Sequence, residues 1–313
     1  MTLPRARPRA RAGLEAVGRD ARSGASQLAA RAVAALARET PRNAGAPARA
    51  HVERIVALAR AAASLRPGMP AVGGAVARVA WRLRVETRGA RDAGEVHRRL
   101  RAIVHAERES LARARQATAR AFARRFRGVS RPLTLSYSTT LLAALGGGGR
   151  FDEIVVCESR PLCEGRRLAR ALRRAVGAGV VTLVTEAQAV AALASCDAVV
   201  IGCDAIFGDG SVANKSGSAP LAAAARLVGR RVIVLGDAYK LADRSTFAPE
   251  ARGAREVWAG APAGVRVRND TFEVVSRDWI DFIVLDDGVW RPRDMAAKWR
   301  GARRYWRALR RPA

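Results

Sequence analysis

Short apolar runs alternate with helical segments through the second half of the chain, and this alternation constrains the fold more than any other feature. Six runs of four to six residues predict strands, at 133–138, 154–158, 180–185, 198–203, 232–236 and 282–285. Helical patterns lie between the first five, at 139–145, 163–176, 187–194 and 218–228. Apolar strands that alternate with helices are typical of a parallel sheet covered on both faces. The sequence therefore predicts a Rossmann-like domain with a mostly parallel sheet, in which ligands bind at the carboxyl ends of the strands.

The first half of the chain has only helical patterns. From about residue 90 to residue 126 the sequence contains no proline, and Val96, Leu100 and Ile103 recur at steps of three and four residues, which predicts one long amphipathic helix. The predicted fold class is α/β, with a helical amino-terminal domain followed by the Rossmann-like domain. The predicted divisions are a basic, partly flexible extension, a helical domain, the Rossmann-like domain and a basic helix or tail, at 1–45, 46–128, 129–295 and 296–313.

The chain is strongly basic, with 56 Lys and Arg against 28 Asp and Glu. The excess is uneven: residues 1–150 carry a net charge of +21, residues 151–300 only +2, and the last thirteen residues +5. Such asymmetry can mark a nucleic-acid partner. However, 53 of the basic residues are arginines among abundant Ala and Gly, which is typical of a GC-rich coding bias, and no nucleic-acid recognition motif is present. Solvated arginine-rich helix faces are the favoured interpretation, and an RNA-associated protein is the alternative.

Several functional classes are disfavoured. No apolar run reaches the roughly 18 residues that span a bilayer, and the basic start leads into no apolar segment, so a cytoplasmic protein without membrane contact is predicted. No Gly-x-Gly-x-x-Gly follows the first strand and no Gly-Lys-Ser/Thr loop occurs, which argues against dinucleotide-dependent oxidoreductases and P-loop NTPases. The four cysteines and three histidines match no zinc template. No metal or cofactor is predicted.

Polar residues end or follow three of the predicted strands. Ser136 and Ser138 lie at the end of the first, Arg160 follows the second, and Asp204 and Lys215 follow the fourth. Hydroxyls and backbone N–H groups at the helix starts after Ser138 and residue 216 could bind a phosphate, the two cations could pair with it, and a carboxylate could exchange a proton or bind a sugar hydroxyl. Each also has a structural alternative, as a helix cap, a surface ion pair or a turn residue. Their convergence favours a site for a phosphorylated small molecule.

These segments resemble the family that unites the alpha, beta and delta subunits of translation initiation factor 2B with methylthioribose-1-phosphate isomerase and ribose-1,5-bisphosphate isomerase. The resemblance covers about residues 60–295. It is carried by Leu-Thr-Leu-Ser-Tyr-Ser at 133–138, Glu-Ser-Arg-Pro-Leu-Cys-Glu-Gly at 158–165 and Gly-Cys-Asp-Ala-Ile-Phe-Gly-Asp-Gly-Ser-Val-Ala-Asn-Lys-Ser-Gly at 202–217. Weaker matches lie at 66–73 and 269–275.

The resemblance implies a helical domain, a Rossmann-like domain and homo-oligomers built through the latter. In the isomerases the position of Ser136 holds a catalytic cysteine, and the aspartate that matches Asp204 is its acid/base partner. The resemblance and the strand-end positions together give the candidate ligand-binding residues Arg66, Ser138, Arg160, Glu164, Gly165, Asn214 and Lys215.

Ser136 leaves the function open. A hydroxyl is far less acidic than a thiol, whose ordinary pKa is about 8.5, and Cys203, next to Asp204, is expected to point to the opposite face of its strand. One interpretation is a protein similar to the initiation factor 2B subunits that binds a sugar phosphate or nucleotide phosphate and acts through assembly. The alternative is an aldose-1-phosphate isomerase with Asp204 as acid/base and Ser136 as a weak donor.

Overall fold

The structure is a computed structural model that describes residues 3–20, 23–148, 151–176 and 180–310. The chain divides into two compact units. The helical unit comprises the residues up to Arg113, together with Tyr239–Phe247 and the residues from Ala297 on. The Rossmann-like unit comprises Ala114–Ala238 and Ala248–Ala296. The division therefore falls within the long helix predicted at about 90–126 and differs from the predicted boundary at 128.

The helical unit is built from α1 to α4 and the first part of α5, with the bounds Pro8–Arg19, Ala25–Leu36, Ala48–Ala63, Pro70–Glu86 and Ala93–Arg125. Glycines in α4 allow neighbouring segments to approach closely. A Cβ atom on Gly74 would lie 2.3 Å from the carbonyl oxygen of Tyr239, and one on Gly73 would lie 2.5 Å from the ring of Trp306. The small residues of α4 thus let two sequence-distant segments pack on it, the short strand β8 (Leu241–Ala242) among them.

The first 45 residues differ from the predicted extension, because α1 and α2 pack against the rest of the helical unit. Leu14, Val17, Leu28 and Val33 are fully buried. A hydrogen bond also ties the start of this segment to the helical unit. The backbone N–H of Arg7 donates to the carboxylate of the buried Glu39 at 2.6 Å. Apolar residues at helical spacing, rather than the many arginines, decide the structure of this segment.

The Rossmann-like unit confirms the predicted sheet. Seven strands lie in the order β11-β10-β7-β4-β1-β2-β3, and every neighbouring pair is parallel except β10 with β11. The bounds of β1, β2, β3, β4, β7, β10 and β11 are Pro132–Leu135, Glu153–Cys157, Val180–Val184, Ala198–Gly202, Arg231–Leu235, Phe282–Leu285 and Gly288–Trp290. The helices α6 to α9 of this unit are Thr139–Leu145, Glu164–Ala175, Glu186–Ala192 and Ser218–Leu227, and α10, Met295–Arg307, lies mostly in the helical unit.

A small antiparallel sheet in this unit was absent from the sequence prediction. It contains β5 (Ala205–Phe207), β6 (Val212–Lys215) and β9 (Phe272–Val275). Three- and four-residue strands are too short to show a period. Gly210, with φ +89°, turns the chain between β5 and β6, and a Cβ atom there would lie 2.3 Å from the carbonyl oxygen of Pro292.

Among the described residues, no helix combines the length and apolar character needed to cross a membrane. In the same ranges, no three His, Cys, Asp or Glu side chains are grouped so that they could hold a metal ion.

Two buried histidines predict a pH dependence of stability. His51 is 3% exposed, and its ring centroid lies 5.9 Å from that of His97. Burial, with smaller contributions from His97 and Arg54, lowers the pKa of His51 from 6.5 to about 4. Burial also lowers the pKa of His97. The folded protein therefore keeps these imidazoles neutral at pH values where the unfolded chain protonates them.

We expect the free energy of unfolding to be highest above pH 6.5 and to fall as the pH falls toward 4, because the unfolded state then binds more protons. The His51 shift corresponds to about 3 kcal/mol. Urea unfolding between pH 4 and pH 7 measures this, and His51→Gln should flatten the dependence. His105→Gln, at an exposed histidine, is the control. An unchanged slope in His51→Gln would contradict the assignment.

Candidate functional site

Three loops meet at one edge of the parallel sheet. Ser136 follows β1, the segment 158–165 follows β2, and Asp204 lies two residues after the end of β4. Because β1 lies between β4 and β2, the three loops are neighbours. Ser138 approaches β4 directly, since a Cβ atom on Gly202 would lie 3.2 Å from the Cβ atom of Ser138. The structure thus brings together the residues predicted to follow these three strands.

The backbone at Ser136 is held in the left-handed region, with φ +62°. This conformation is uncommon for residues other than glycine and persists only where the surroundings enforce it. Ser159, with φ +67° and 1% exposed, supplies the main restraint. Its Oγ accepts a hydrogen bond from the Ser136 N–H at 2.6 Å and donates to the Cys157 carbonyl at 3.1 Å.

Glu186, after the next strand, holds Ser159 in place. It begins α8, directly after the loop that follows β3, and its Oε1 accepts a hydrogen bond from the Ser159 N–H at 2.5 Å. The carboxylate therefore fixes Ser159, and Ser159 fixes Ser136. Sequence reasoning missed Glu186 and Ser159, although both follow predicted strands and the strand-end rule could have found them.

Asp204 is half-buried and enters the hairpin of β5 and β6, where its backbone N–H donates to the carbonyl of Ala213 at 2.7 Å. The adjacent Cys203 is 3% exposed, and its Sγ lies 3.6 Å from the carbonyl oxygen of Leu235 on β7. The Cys203 thiol is therefore buried against β7. Of the two neighbours Cys203 and Asp204, only Asp204 is an ionisable group at the loop edge.

Cys163 is the other thiol near this edge. Its Sγ donates to Glu158 Oε1 at 3.0 Å. This hydrogen bond raises the pKa of Cys163, and the same contact lowers the pKa of Glu158. Cys163 therefore remains a protonated donor at neutral pH and is a poor substitute for the thiolate that Ser136 lacks.

An ion pair joins the second and third motifs. Lys215 at the end of β6 lies 2.7 Å from Glu164, measured from Nζ to Oε1, and Glu164 begins α7. A second pair is close by, because Arg252 binds Glu256 at 2.6 Å. Arg252 is the main cause of the lowered pKa of Glu256, and the charge of Lys215 contributes. The candidate residues Glu164 and Lys215 thus belong to one network of alternating charges, together with Asn269, whose Nδ2 donates to Glu256 at 3.0 Å.

The two helix starts predicted to bind phosphate are capped by the protein itself. Ser138 Oγ accepts from the N–H groups of Thr140 and Leu141, at the start of α6. At the start of α9, Glu273 Oε1 accepts from the N–H groups of residues 217 and 219, both at 2.7 Å. The prediction that these four N–H groups are free for a ligand is wrong. A carboxylate near a helix amino terminus is itself favourable, which explains the role of Glu273.

The remaining candidate residues differ in their surroundings. Arg160 is exposed, and its Nη2 donates to the carbonyl of Val257 at 3.3 Å. Asn214 is 5% exposed, and its Nδ2 donates to Ser218 Oγ at 2.9 Å. Gly165 is buried at the start of α7. Arg66 belongs to the helical unit, where its buried side chain donates to the carbonyl of Asp20.

Two further groups at this edge were not predicted. Asp237 follows β7, the neighbour of β4, and is 3% exposed. Arg167 on α7 lies over the ring of Tyr137, with 3.9 Å between the guanidinium carbon and the ring centroid. Tyr137 stands between Ser136 and Ser138, so Arg167 places a positive charge next to the loop after β1.

The arrangement can be compared with known proteins. The ribose 1,5-bisphosphate isomerase of Archaeoglobus fulgidus is 34% identical over 154 residues, which cover 46% of this chain and 47% of that protein. The ribose 1,5-bisphosphate isomerase of Haloterrigena turkmenica is 33% identical over 222 residues, or 64% and 67% of the two chains. The crystal structure of translation initiation factor eIF-2B from Pyrococcus horikoshii OT3 gives a TM-score of 0.76 at 22% identity and covers 92% of this chain and 99% of that chain.

The aligned region spans less than half of the Archaeoglobus fulgidus protein, and the likeness to the solved structure shows the fold alone. The family model covers much more, since the model of the initiation factor 2 subunit family matches residues 21–292. This match includes all three motifs and residues of both units of the structure. The chain belongs to the initiation factor 2 subunit family.

Proposed function

We propose that the chain is an isomerase that converts an aldose 1-phosphate into the corresponding ketose phosphate. The observation that carries this proposal is the meeting of Ser136, the loop 158–165 and Asp204 at the carboxyl edge of one parallel sheet. Sequence similarity to two proteins named as ribose 1,5-bisphosphate isomerases supports the substrate class.

The chemistry needs groups that move protons. Opening the sugar ring requires a proton at the ring oxygen, the hydrogen on C2 must pass to C1 with its electron pair, and the C2 hydroxyl must lose its proton to become the ketone. The substrate thus gains one proton at the ring oxygen and loses one from the C2 hydroxyl. A single carboxyl group can donate the first and accept the second. Asp204 is the proposed acid/base, and the Ser136 hydroxyl is a hydrogen-bond donor to a sugar oxygen.

The cations of the edge would bind the phosphate. Arg160 is exposed and its hydrogen bond to Val257 is to a neutral carbonyl, so a phosphate can compete for it with a charge-assisted bond. Lys215 can exchange its ion pair with Glu164 for an ion pair with a phosphate, because its ammonium group can bind either the carboxylate or the phosphate. Asn214, at the end of β6 beside Lys215, is a further proposed ligand-binding residue.

The test is conversion of defined sugar phosphates by the purified protein. We expect ribose 1,5-bisphosphate or another aldose 1-phosphate to give a ketose phosphate, seen by phosphorus NMR as loss of the anomeric phosphate signal. Pentose and hexose 1-phosphates and nucleoside monophosphates complete the panel. Stabilisation of the protein by a ligand that is not converted would contradict the proposal.

One observation favours a second function, ligand binding with a regulatory or assembly role. Ser136 stands where the isomerases of this family hold a catalytic cysteine. A protein of this kind would bind a phosphorylated ligand at the same edge without converting it. Binding would raise the melting temperature of the protein. Homo-oligomers through the Rossmann-like unit are part of this proposal, and light scattering with and without ligand would measure them.

The Ser136→Cys variant is expected to turn over the substrate faster than the natural chain. A thiol, with an ordinary pKa near 8.5, exchanges protons at neutral pH far more readily than a hydroxyl, and a gain of about 10²-fold in kcat is of the size that general acid/base groups supply. The rate and its pH profile measure this, because a catalytic thiol adds an ionisation that serine lacks.

Ser195→Cys is the matched control, since Ser195 is exposed just before β4, at the opposite end of that strand from Asp204. It adds a thiol without placing it at the loop edge. Ser136→Ala should lose activity relative to the natural chain. Equal rates in the Cys, Ala and natural proteins would remove Ser136 from the mechanism.

A further inference from the structure

A cavity lies in the Rossmann-like unit, at the edge of the sheet opposite to Asp204. Its volume is about 500 Å³, and four arginines and two aspartates line it: Arg226, Arg277, Arg291, Arg293, Asp278 and Asp281. Asp281 immediately precedes β10, and its Oδ2 accepts a hydrogen bond from the N–H of Val232 near the start of β7. The cavity therefore lies at the amino ends of these two parallel strands and is separate from the proposed active site.

Two of the arginines are paired with the aspartates. Arg226 Nη1 lies 3.3 Å from Asp281 Oδ1, and Arg277 Nε lies 3.7 Å from Asp278 Oδ1. The aspartates thus compensate these two positive charges, and the geometry of the Arg226 pair is fixed because Asp281 also binds the Val232 N–H at 2.8 Å.

Within the described parts of the chain, no carboxylate pairs with the guanidinium groups of the other two arginines. Arg291 donates to the carbonyl of Asp281 at 3.2 Å and lies over the ring of Phe282, 4.1 Å from its centroid. Arg293 is exposed, and among the residues that the structure describes its side chain has no hydrogen-bond or ion-pair partner. Asp294 is close in sequence, but its Oδ2 accepts from the backbone N–H of Arg291. The lining therefore has an excess of two positive charges.

We propose that this cavity binds a phosphorylated small molecule, with Arg291 and Arg293 on the phosphate. A volume of this size lies within the range of small-molecule sites. The guanidinium group binds phosphate oxygens with two parallel hydrogen bonds, and the excess of two charges matches a phosphate dianion. The site is independent of the isomerase proposal, because it shares no residue with the edge that holds Asp204.

The test uses inorganic pyrophosphate as the probe, titrated calorimetrically into the full chain at constant ionic strength. The natural protein is expected to bind it at this cavity, and the titration is repeated with Arg160→Gln, which removes binding at the proposed active site. Arg293→Gln should weaken the cavity event about tenfold, the size of one charge-assisted hydrogen bond, and Arg293→Glu should abolish it. Neither change removes a contact that holds the fold.

Arg170→Gln is the matched control, because Arg170 is an exposed arginine of α7 outside the cavity. Its pyrophosphate affinity should equal that of the natural protein. Binding that is equally strong in Arg293→Glu would overturn the proposal. So would a protein that ignores pyrophosphate but binds a short RNA in a manner lost with Arg293→Glu, since that result assigns the arginines to a nucleic-acid surface.

Discussion

We expect the Asp204→Asn variant to lose at least about 10³-fold in turnover of an aldose 1-phosphate, within the range that a general acid/base group contributes. The amide keeps the size and the hydrogen-bonding capacity of the carboxylate but cannot exchange a proton. The backbone N–H that anchors residue 204 to the Ala213 carbonyl is untouched. Affinity for the substrate should therefore change little, and the loss should fall on kcat rather than on KM.

Asp209→Asn is the control for this variant. Asp209 lies in the turn of the same hairpin, where its Oδ1 accepts from the N–H and the hydroxyl of Ser211 at 2.9 and 2.6 Å. An asparagine can accept the same hydrogen bonds, so activity should be kept. Turnover in Asp204→Asn equal to that of the control would show that Asp204 does not move the proton.

The second large effect is expected for Gly165→Ala. A Cβ atom at this position would lie 1.8 Å from the carbonyl oxygen of Cys157, at the end of β2. A clash with backbone cannot be relieved by a side-chain rotation, so the start of α7 must move away from the strand. We expect the free energy of unfolding to fall by about 3 kcal/mol or more, measured by urea unfolding.

Gly253→Ala provides the comparison. Gly253 has φ −61°, and a Cβ atom there would meet nothing within 4 Å. Its unfolding midpoint should stay close to that of the natural chain. Because α7 carries Glu164, the Gly165 variant should also bind pyrophosphate or sugar phosphates more weakly at the candidate edge. A Gly165→Ala protein as stable as Gly253→Ala would show that this strand and helix can separate at little cost.

Most of the large sheet and its helices could be predicted from the sequence, because apolar runs and helical periods follow from burial on one or both faces. The predicted 282–285 and 139–145 coincide with β10 and α6. The β5–β6 hairpin was missed, since its short strands lie within a segment whose glycines and polar residues are typical of a loop. What such a segment pairs with depends on β9, which is far away in sequence.

The candidate site was predictable by position but not by contact. The strand-end rule placed Ser136 and Asp204 at the same edge of the sheet, since it depends only on the direction of the strands. The sequence could not show that Glu164 pairs with Lys215, or that Glu273 occupies the start of α9. Each of these contacts joins residues 50 or more positions apart, and the choice between a ligand and an internal carboxylate is made by tertiary packing.

The restraint on Ser136 has a consequence for protein engineering. The backbone of that residue is set by Ser159 in the second loop, which is set in turn by Glu186 beyond the third strand. Transplanting the first loop alone into another parallel sheet would therefore carry the Ser136 side chain but not its backbone geometry. The smallest portable piece is the set of three consecutive strand-to-helix connections, from β1 to α8. A graft should be designed and selected as that whole block.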